Sequence, residues 1–363
     1  MPLVARPGLD RIQPYQPGQK PIGGGGPGVK LSANESALGP SPKAMAAYAD
    51  AGGVIERYPD ANAVRIRQAL ADRYGLKVEN ILMGIGSDEL LSALVRTYAG
   101  AGEEVLYPTA TFPMYRIYAL STGADIVQAP DTDYRADVDA LLAAVTERTK
   151  VVIVANPNNP TGTYLTSDEM ERLRTGLRDD ILLIIDAAYA EYVSKADYDA
   201  GIALVNATDN TVMTRTFSKV HGMASLRIGW CYAHSDIVSL VGRIRSPFNV
   251  SSAGQAAGIA ALEDKTHEDA VIAHTAKWHS IASQRLTGLG LEITGTEGNF
   301  VCVGFPDEEG KRAKDADAFL RKSDIITRSM AGFGLPKHLR VTIGTDKEME
   351  TCLDAIEEFV RAW

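Results

Sequence analysis

The amino-acid sequence predicts an α/β fold built around a mostly parallel sheet, followed by a smaller α+β domain. Unbroken apolar runs at residues 151–155 and 181–185 alternate with segments whose apolar residues recur at helical spacing. Short apolar runs of this kind are typical of parallel strands that are buried on both faces. After about residue 252 the pattern changes to long helices and short strands, which indicates a second domain.

The alternation of helices and strands extends over most of the chain. We expect helices at residues 41–51, 63–74, 87–99, 112–120, 138–145, 167–177, 252–262, 267–286 and 347–363, with Ser87 as the N-cap of the third helix. Strands are expected at residues 81–83, 104–107, 124–128, 151–155, 181–185, 211–214 and 226–232, and near residues 291, 300, 325 and 341. These elements predict an N-terminal arm that joins the small domain (1–44), a large α/β domain (45–255) and a small α+β domain (256–363).

The first 30 residues are rich in Pro and Gly, which predicts an arm with little regular structure. Its run Gly23–Gly28 could suggest a phosphate-binding loop. Val29 separates this run from Lys30, however, and no strand precedes it, so a flexible hinge or turn is the better interpretation.

Composition and charge limit the functions that are open to the chain. Its 363 residues are 45% hydrophobic and 23% charged, and the formal net charge is −9. Because no basic stripe stands out, we expect no nucleic-acid partner. The 3 cysteines are isolated and the 6 histidines lack paired metal-ligand spacing, so we expect reduced thiols and no metal site. The N-terminal residues lack the apolar core of a signal peptide and no apolar run reaches the length of a membrane span, which predicts a cytoplasmic protein.

A lysine stands at the end of a predicted strand, in the segment Thr214–Lys219. Hydroxyl side chains precede this lysine, and Arg227 follows it eight positions later. A lysine by itself is most often a solvated surface charge. Its place after a strand nevertheless supports the hypothesis that Lys219 attaches an aldehyde cofactor covalently.

Three other polar groups follow apolar strands. Asn159 belongs to the motif NPNNPTG at 156–162, directly after residues 151–155, and Asp186 directly follows residues 181–185, with Tyr189 three residues on. In open parallel sheets, ligands bind beyond the carboxyl ends of the strands, so these groups and Lys219 should converge on one edge. Each group also has an ordinary interpretation: a turn for NPNNPTG, a helix cap for Asp186 and core packing for Tyr189.

Together, these residue types match the needs of pyridoxal phosphate. A lysine amine forms a Schiff base with the aldehyde and then acts as a general base. A carboxylate keeps the pyridine nitrogen protonated, while a phenol and an amide donate to the ring oxygen. Phosphate donors are expected from the backbone N–H groups around Ser87, at the helix that follows residues 84–86, and from Thr216, Ser218 and Arg227 around the lysine.

Some of these candidates have competing interpretations. The carboxylates of Asp88 and Glu89 would repel a phosphate, and a favourable interaction with the helix dipole is the alternative for them. Phe112 is a candidate to stack on the cofactor ring, with core packing as the alternative. Arg328 and Arg340 lie near predicted strand ends in the small domain, where either suits a phosphate or carboxylate or forms a surface salt bridge.

A set of short motifs covers nearly the whole chain. They are Asn34-Glu35, Arg57-Tyr58-Pro59, Gly86-Ser87-Asp88-Glu89, NPNNPTG at 156–162, Asp186-Ala187-Ala188-Tyr189, Ser218-Lys219 with Arg227, residues 331–336, and Leu339-Arg340-Val341. In these motifs the chain resembles the class I/II (fold type I) aminotransferases, and within them the histidinol-phosphate aminotransferase family. The resemblance implies a three-layer sandwich with a mostly parallel central sheet, pyridoxal 5'-phosphate as cofactor, and a homodimer.

The resemblance also implies a role for each candidate residue. Lys219 would be the Schiff-base lysine and Asp186 the partner of the pyridine nitrogen, with Asn159 and Tyr189 at the ring oxygen. Tyr58 would reach the phosphate of the neighbouring subunit's cofactor, and Phe112 stands where the family more often has Tyr. The phosphate would be surrounded by Ser87, Asp88, Thr216, Ser218 and Arg227, and the anionic end of the substrate would meet Tyr15, Asn34, Arg328 and Arg340.

One departure from the family pattern concerns the turn beside the substrate. The family's usual Asn-Glu-Asn-Pro is Asn34-Glu35-Ser36-Ala37 in this chain, which changes the residues that form this turn. The leading hypothesis is a transaminase of histidine biosynthesis that works through ping-pong half-reactions, with L-histidinol phosphate as donor and 2-oxoglutarate as acceptor. The alternatives are an aromatic amino acid aminotransferase, a pyridoxal-phosphate-dependent decarboxylase of threonine phosphate, and a cofactor-binding regulator of the same fold, against which the lack of a visible helix-turn-helix argues.

Overall fold

The computed structural model of the protein describes residue 3, residues 8–15 and residues 28–363. The strands are β1 Val29–Lys30, β2 Ile81–Gly84, β3 Glu104–Pro108, β4 Asp125–Ala129, β5 Asp131–Thr132, β6 Arg135–Ala136, β7 Thr149–Ala155, β8 Leu182–Asp186, β9 Thr211–Thr216, β10 Gly229–Ala233, β11 Glu292–Ile293, β12 Phe300–Gly304, β13 Ile325–Ile326, β14 Arg328–Ser329 and β15 His338–Thr342. The helices are α1 Pro42–Ala51, α2 Val64–Tyr74, α3 Ser87–Tyr98, α4 Met114–Thr122, α5 Val138–Ala143, α6 Ser167–Gly176, α7 Ile202–Ala207, α8 Ser235–Ile244, α9 Ser252–Glu263, α10 Lys265–Gly288, α11 Ala313–Lys322 and α12 Asp346–Arg361. Within the described ranges, none of these helices is long and apolar enough to cross a membrane.

A seven-stranded sheet forms the centre of the larger part of the molecule, with the order β2-β10-β9-β8-β7-β3-β4. The pairs from β9 to β4 are parallel, whereas β10 runs antiparallel to both of its neighbours. The expected α/β fold with a mostly parallel sheet is therefore confirmed.

Helices cover both faces of this sheet, because successive strand residues point to opposite sides. In β7, Val151 and Ile153 pack in the same core as α3 and α4. The alternate residues Val152 and Val154 pack in a second core with α5 and α6. All four side chains are fully buried, which accounts for the uninterrupted apolar run in the sequence and gives the three layers.

A second sheet, with the order β11-β12-β15-β14, is antiparallel and packs against α10, α11 and α12. Strand β1 pairs in parallel with β13 beside it, so the chain at Val29–Lys30 attaches to this part of the molecule. Within the described residues 8–15, Leu9–Arg11 form a single 3-10 turn. The exact domain boundaries stay a prediction, and the predicted hinge at Gly23–Gly28 lies outside the described residues except for Gly28.

The prediction that Ser87 caps α3 is wrong. Gly86 is the N-cap, with φ of +86°, and Ser87 is the first residue of the helix. A Cβ on Gly86 would lie 2.4 Å from Nη2 of Arg227, and the positive φ itself favours glycine at this position. The strand expected at 226–232 begins only at Gly229, because Arg227 has a left-handed backbone with φ of +53°. Helices α7, α8 and α11 were not predicted.

Candidate active site

A cavity of about 300 Å³ opens at the carboxyl ends of the central strands. That volume lies at the lower end of the range for small-molecule sites. Most of the side chains predicted for the site line it, namely Tyr15, Asn34, Ser87, Asp88, Phe112, Asn159, Asp186, Tyr189, Thr216, Ser218, Lys219, Arg227 and Arg340.

The strand register explains why these groups meet. Ala155 at the end of β7 pairs with Asp186 at the end of β8, and Asp186 pairs with Thr214 near the end of β9. The loops that follow three adjacent parallel strands therefore start at the same edge of the sheet. This arrangement brings Asn159, Asp186 and Lys219 to one cavity from different parts of the chain.

Lys219 lies in the turn that follows β9. Its ammonium Nζ donates to the carbonyl oxygen of Asn34 at 3.4 Å and lies 5.4 Å from the centre of the Tyr189 ring. The turn closes through Gly222, whose N–H donates to the Lys219 carbonyl at 3.0 Å and whose φ is +67°. A Cβ on Gly222 would lie 2.4 Å from the backbone of Gly39, so the turn depends on glycine there.

Asp186 is a buried carboxylate at the centre of the site. The hydroxyl of Tyr115 donates to its Oδ2 at 2.8 Å, and the hydroxyl of Thr214 donates to its Oδ1 at 3.4 Å. Burial raises the pKa of Asp186 to about 6, and the nearby charge of Asp88 raises this pKa too, whereas the bonds from Tyr115, Thr214 and the Ala188 N–H lower it. The carboxyl group can therefore exchange a proton near neutral pH.

Asn34 connects the N-terminal segment to the site. Its side-chain amide donates to the hydroxyl oxygen of Tyr189 at 2.8 Å, and its Oδ1 accepts from the hydroxyl of Thr342 at 3.1 Å. Its backbone is left-handed, with φ of +53°, a conformation that Asn tolerates better than most residues. Asn299 donates to the Asn34 carbonyl at 3.1 Å, so Asn34 is held from both sides.

The start of α3 and the end of β9 form a polar pocket that suits an anion. Gly86 offers no side-chain cap to the first turn of α3 within the described residues, and Ser87 and Asp88 at this positive end of the helix dipole line the cavity. The hydroxyl of Thr216 donates to Oγ of Ser218 at 3.0 Å, and Nη1 of Arg227 donates to the same oxygen at 3.4 Å.

The carboxylate of Asp88 does not stand unpaired in this pocket. The hydroxyl of Tyr118 donates to its Oδ1 at 2.9 Å, and Nη2 of Arg227 lies 3.3 Å from its Oδ2. The neighbouring Glu89 turns away and accepts the Ile85 N–H at 2.8 Å and the Asn249 amide at 2.6 Å. Because both carboxylates accept hydrogen bonds, their repulsion of a phosphate in this pocket is reduced.

Arg340 approaches the cavity from β15 of the second sheet and is buried. Its Nη1 donates to Oδ1 of Asn159 at 2.5 Å, and its Nη2 donates to the carbonyl of Ser32 at 3.2 Å. Its Nε is buried and has no partner among the described residues. The hydrogen-bond partners of this guanidinium within the described residues are neutral oxygens, so its buried positive charge is suited to an anionic ligand.

Two residues predicted for the site, Tyr58 and Arg328, do not line the cavity in the described part of the chain. The Arg328 guanidinium lies 5.9 Å from the ring of Tyr15 and 5.9 Å from that of Phe333, which does line the cavity. The Tyr58 ring stacks on Phe248 at 4.6 Å and is 82% exposed.

Sequence reasoning missed several residues that support the site. Tyr115 and Tyr118 belong to the mostly apolar helix α4 and look like core residues in the sequence. Thr342 and Asn299 lie in the second sheet region, far along the chain from the Asn34 that they bind. The two tyrosines carried one signal, their spacing of three residues on a helix that follows a strand end, but nothing in the sequence showed which carboxylates they meet.

Known proteins resemble this chain over nearly its whole length. The family model described as aminotransferase class I and II matches residues 27–356. Histidinol-phosphate aminotransferases of Rhodopseudomonas palustris (strain HaA2) and Paramagnetospirillum magneticum (strain ATCC 700264 / AMB-1) are each 49% identical to it, with 98% of both chains covered. The crystal structure of a histidinol-phosphate aminotransferase from Sinorhizobium meliloti in complex with pyridoxal-5'-phosphate matches with a TM-score of 0.86 and 29% identity, over 92% of this chain and 90% of that one.

Proposed function

The chain belongs to the class I and II aminotransferases, and we propose that it transfers the amino group of L-histidinol phosphate to 2-oxoglutarate, with pyridoxal 5'-phosphate as its cofactor. The substrate rests on the relatives that are 49% identical over 98% of the chain. The structural observation that supports this reaction is that one cavity is lined by Lys219, Asp186 and Arg340. These groups are an amine, a buried carboxylate and a buried guanidinium.

The residues at this cavity fit the cofactor. Gly86 and Gly229 leave space for the close backbone approach of β10 to the start of α3, since a Cβ on Gly229 would lie 2.3 Å from the Ser87 nitrogen. The donors of Ser87, Thr216, Ser218 and Arg227 would hold the phosphate, and Asp186 would face the ring nitrogen. When bound, pyridoxal phosphate supplies an aldehyde that links to an amine and a ring that withdraws electrons from the neighbouring carbon.

The chain's own groups would orient the reactants and move protons. Lys219 would hold the aldehyde carbon, and its free amine would then take the proton from the substrate carbon and return it. Tyr189, held by Asn34, and Asn159, held by Arg340, would donate to the oxygen on the ring, while Phe112 would cover one face of the ring.

The anionic end of the donor would meet the guanidinium of Arg340. Its place in the cavity lining, with only neutral hydrogen-bond partners among the described residues, supports that role. Arg328 and Tyr15 pack on one another at 5.9 Å beside it and would add a second positive charge and an aromatic wall. Two arginines suit a substrate whose donor carries a phosphate and whose acceptor carries carboxylates.

We also propose a homodimer in which Tyr58 reaches the phosphate pocket of the partner subunit. The exposed rings of Tyr58 and Phe248 stack on each other, and Asn249 next to them donates to Glu89 at 2.6 Å, beside the exposed Ile85. Exposed apolar side chains next to a polar pocket support an interface at this point. The cytoplasmic location expected from the sequence stays a prediction.

Covalent labelling tests the cofactor assignment. Borohydride reduction of the purified protein should fix the cofactor on the peptide that contains Lys219, and Lys219→Ala should abolish both the label and the transamination. Lys77→Ala, which changes a lysine elsewhere on the chain, is the matched control and should keep both. A label on any other lysine would exclude the assignment.

Substrate assays separate the proposed reaction from its alternatives. Consumption of L-histidinol phosphate should require a 2-oxo acid and should be faster than consumption of phenylalanine. A preference for phenylalanine would indicate an aromatic amino acid aminotransferase. Release of carbon dioxide from threonine phosphate without an acceptor would indicate a decarboxylase.

A further inference from the structure

Helix α4 points two tyrosine hydroxyls at two carboxylates that line the cavity. Tyr115 donates to Oδ2 of Asp186 at 2.8 Å, and Tyr118, one helical turn later, donates to Oδ1 of Asp88 at 2.9 Å. Both tyrosines are buried. A buried hydroxyl is costly unless it is bonded, and these two bonds satisfy the hydroxyls at both positions.

The bond to Asp186 differs from ordinary core packing. The ring of Tyr115 meets Tyr107 and Phe112 edge-on, with centroids 6.1 and 5.7 Å apart, and a phenylalanine ring would keep both contacts. Only the hydroxyl reaches the carboxylate. The other side-chain donor to Asp186, Thr214, is farther away at 3.4 Å, so Tyr115 makes the shorter contact.

The groups that face Asp186 act in opposite directions. Burial and the charge of Asp88 on α3 favour the protonated carboxyl, whereas Tyr115 on α4, Thr214 on β9 and the N–H of Ala188 favour the carboxylate. The charge of Asp186 also acts on the hydroxyls of two further tyrosines, Tyr118 and Tyr198. The charge of Arg227 acts on Tyr118 as well.

Tyr115 acts as a donor over the whole neutral pH range. Burial raises the pKa of its hydroxyl well above the ordinary value, and the charge of Asp186 raises it as well. The hydroxyl therefore keeps its proton, and a charge-assisted bond of this kind stabilises the ionised form of its partner. Tyr115 thus opposes the effect of burial on Asp186.

We propose that Tyr115 is a positioning residue that keeps Asp186 ionised and holds its carboxylate in place to pair with the protonated ring nitrogen of pyridoxal phosphate. This inference rests on the proposed function, because it presumes the cofactor. Without the hydroxyl, the proton that the carboxylate and the ring nitrogen share would lie more on Asp186. The ring would then withdraw electrons less strongly, while Lys219 and the phosphate donors stay unchanged.

A cofactor analogue separates this role from packing. Affinity of the cofactor-free protein should be measured for pyridoxal phosphate and for its carbocyclic analogue, in which a C–H group replaces the ring nitrogen. Tyr115→Phe should bind pyridoxal phosphate about tenfold more weakly, as loss of a bond to a charged group implies. Its affinity for the carbocyclic analogue should be unchanged, because that ligand has no nitrogen for Asp186 to pair with.

Two further tyrosine variants are matched controls. Tyr107→Phe changes the ring that packs against Tyr115 and should leave both affinities unchanged. Tyr118→Phe acts through Asp88 at the phosphate end and should weaken both ligands equally. If Tyr115→Phe lost affinity equally for both ligands, or lost none, Tyr115 would have a packing role only and the proposal would be overturned.

Circular dichroism shows whether Tyr115→Phe folds. If Tyr115→Phe does not fold, Thr214→Val removes the other side-chain donor to Asp186 with little change of shape. This variant should lose less affinity for pyridoxal phosphate than Tyr115→Phe, and none for the carbocyclic analogue. An equal loss for both ligands would overturn the proposal there too. Failure of the proposed function looks different, because the wild-type protein itself would then not bind pyridoxal phosphate at Lys219.

Discussion

Nη1 of Arg340 donates to Oδ1 of Asn159 at 2.5 Å and thereby joins the second sheet to the loop that follows β7 of the central sheet. The same guanidinium donates to the carbonyl of Ser32 at 3.2 Å, so three separate chain segments meet at one side chain. A planar fork of donors can make these bonds and still contact an anionic substrate in a fixed geometry, whereas an ammonium acts as a compact point charge.

Arg340→Lys should therefore impair substrate binding more than the chemical step. We expect the KM for L-histidinol phosphate to rise by about 10- to 100-fold, since bonds to charged groups are worth roughly 1.5–3 kcal/mol. Steady-state kinetics measures this change. Arg361→Lys, at an arginine whose side chain is 73% exposed and paired with Glu357, is the control and should leave KM unchanged. An unaltered KM in Arg340→Lys would remove this residue from the substrate site.

Gly86→Ala should disturb the phosphate pocket. The new Cβ would lie 2.4 Å from Nη2 of Arg227 and would push the guanidinium away, in addition to the strain at φ of +86°. We expect the affinity for pyridoxal phosphate to fall about tenfold or more, as loss of one charged donor implies. Fluorescence titration of the cofactor-free protein measures this loss.

Gly102→Ala is a close control for this prediction. Gly102 has nearly the same φ of +87°, but a Cβ there meets nothing within 4 Å in the described structure. Both variants should lose about 1 kcal/mol of stability from backbone strain. Only Gly86→Ala should lose cofactor affinity, and an equal loss in the two variants would contradict the role of Arg227.

Asp186→Asn should stabilise the cofactor-free protein at pH 8 while weakening cofactor binding. Burial raises the pKa of Asp186 from 3.8 to about 6, so between these values the folded protein holds a proton that the unfolded chain has lost. Stability then falls as pH rises through this window, by on the order of 3 kcal/mol in total. The asparagine of the variant cannot ionise, so the variant does not lose stability as the pH rises. A residue that is needed for activity often lowers the stability of the folded protein in this way.

Urea unfolding of both cofactor-free proteins at several pH values measures the difference. It should be largest at pH 8 and should shrink toward pH 4, where the wild-type carboxyl is protonated. Asp354→Asn, at an exposed carboxylate paired with Arg285, should show no such gain at pH 8. An Asp186→Asn variant less stable than the wild type at pH 8 would contradict the expected proton uptake.

Mixed dimers should reveal whether Tyr58 crosses between subunits. Lys219→Ala and Tyr58→Ala should each be nearly inactive alone. In a mixed dimer, the site of the Tyr58→Ala chain keeps its own Lys219 and receives the partner subunit's Tyr58. An equimolar mixture should therefore recover activity in about a quarter of the sites.

The control mixture combines Lys219→Ala with Asp186→Asn. These two residues line one cavity of a single chain, so no mixed dimer has a complete site and activity should not return. Recovery is read from transamination rates after subunit exchange. Activity that stayed absent in the Tyr58 mixture would exclude the crossing.

Local sequence patterns were sufficient to predict the sheet and the edge at which its polar candidate residues meet. The apolar run at Val151–Ala155 is buried on both faces and ends where β7 ends, at Ala155. Because parallel strands end at the same edge, Asn159, Asp186 and Lys219 could be placed together before any contact was known. The family motifs added the expected roles of these residues.

Only the tertiary structure decided which side chains bind one another. Tyr115 meets Asp186 across 71 positions, Asn34 meets Tyr189 across 155, and Arg340 meets Asn159 across 181. These partners are set by how the helices and the second sheet pack, which periodicity within one segment does not encode. The wrong N-cap of α3 has a local cause, because the backbone at Gly86 leaves the helical conformation with φ of +86° and the helix begins at Ser87. By itself, the sequence determined that Lys219 stands at the edge of the sheet where the parallel strands end. The packing determined the hydrogen bonds that surround it.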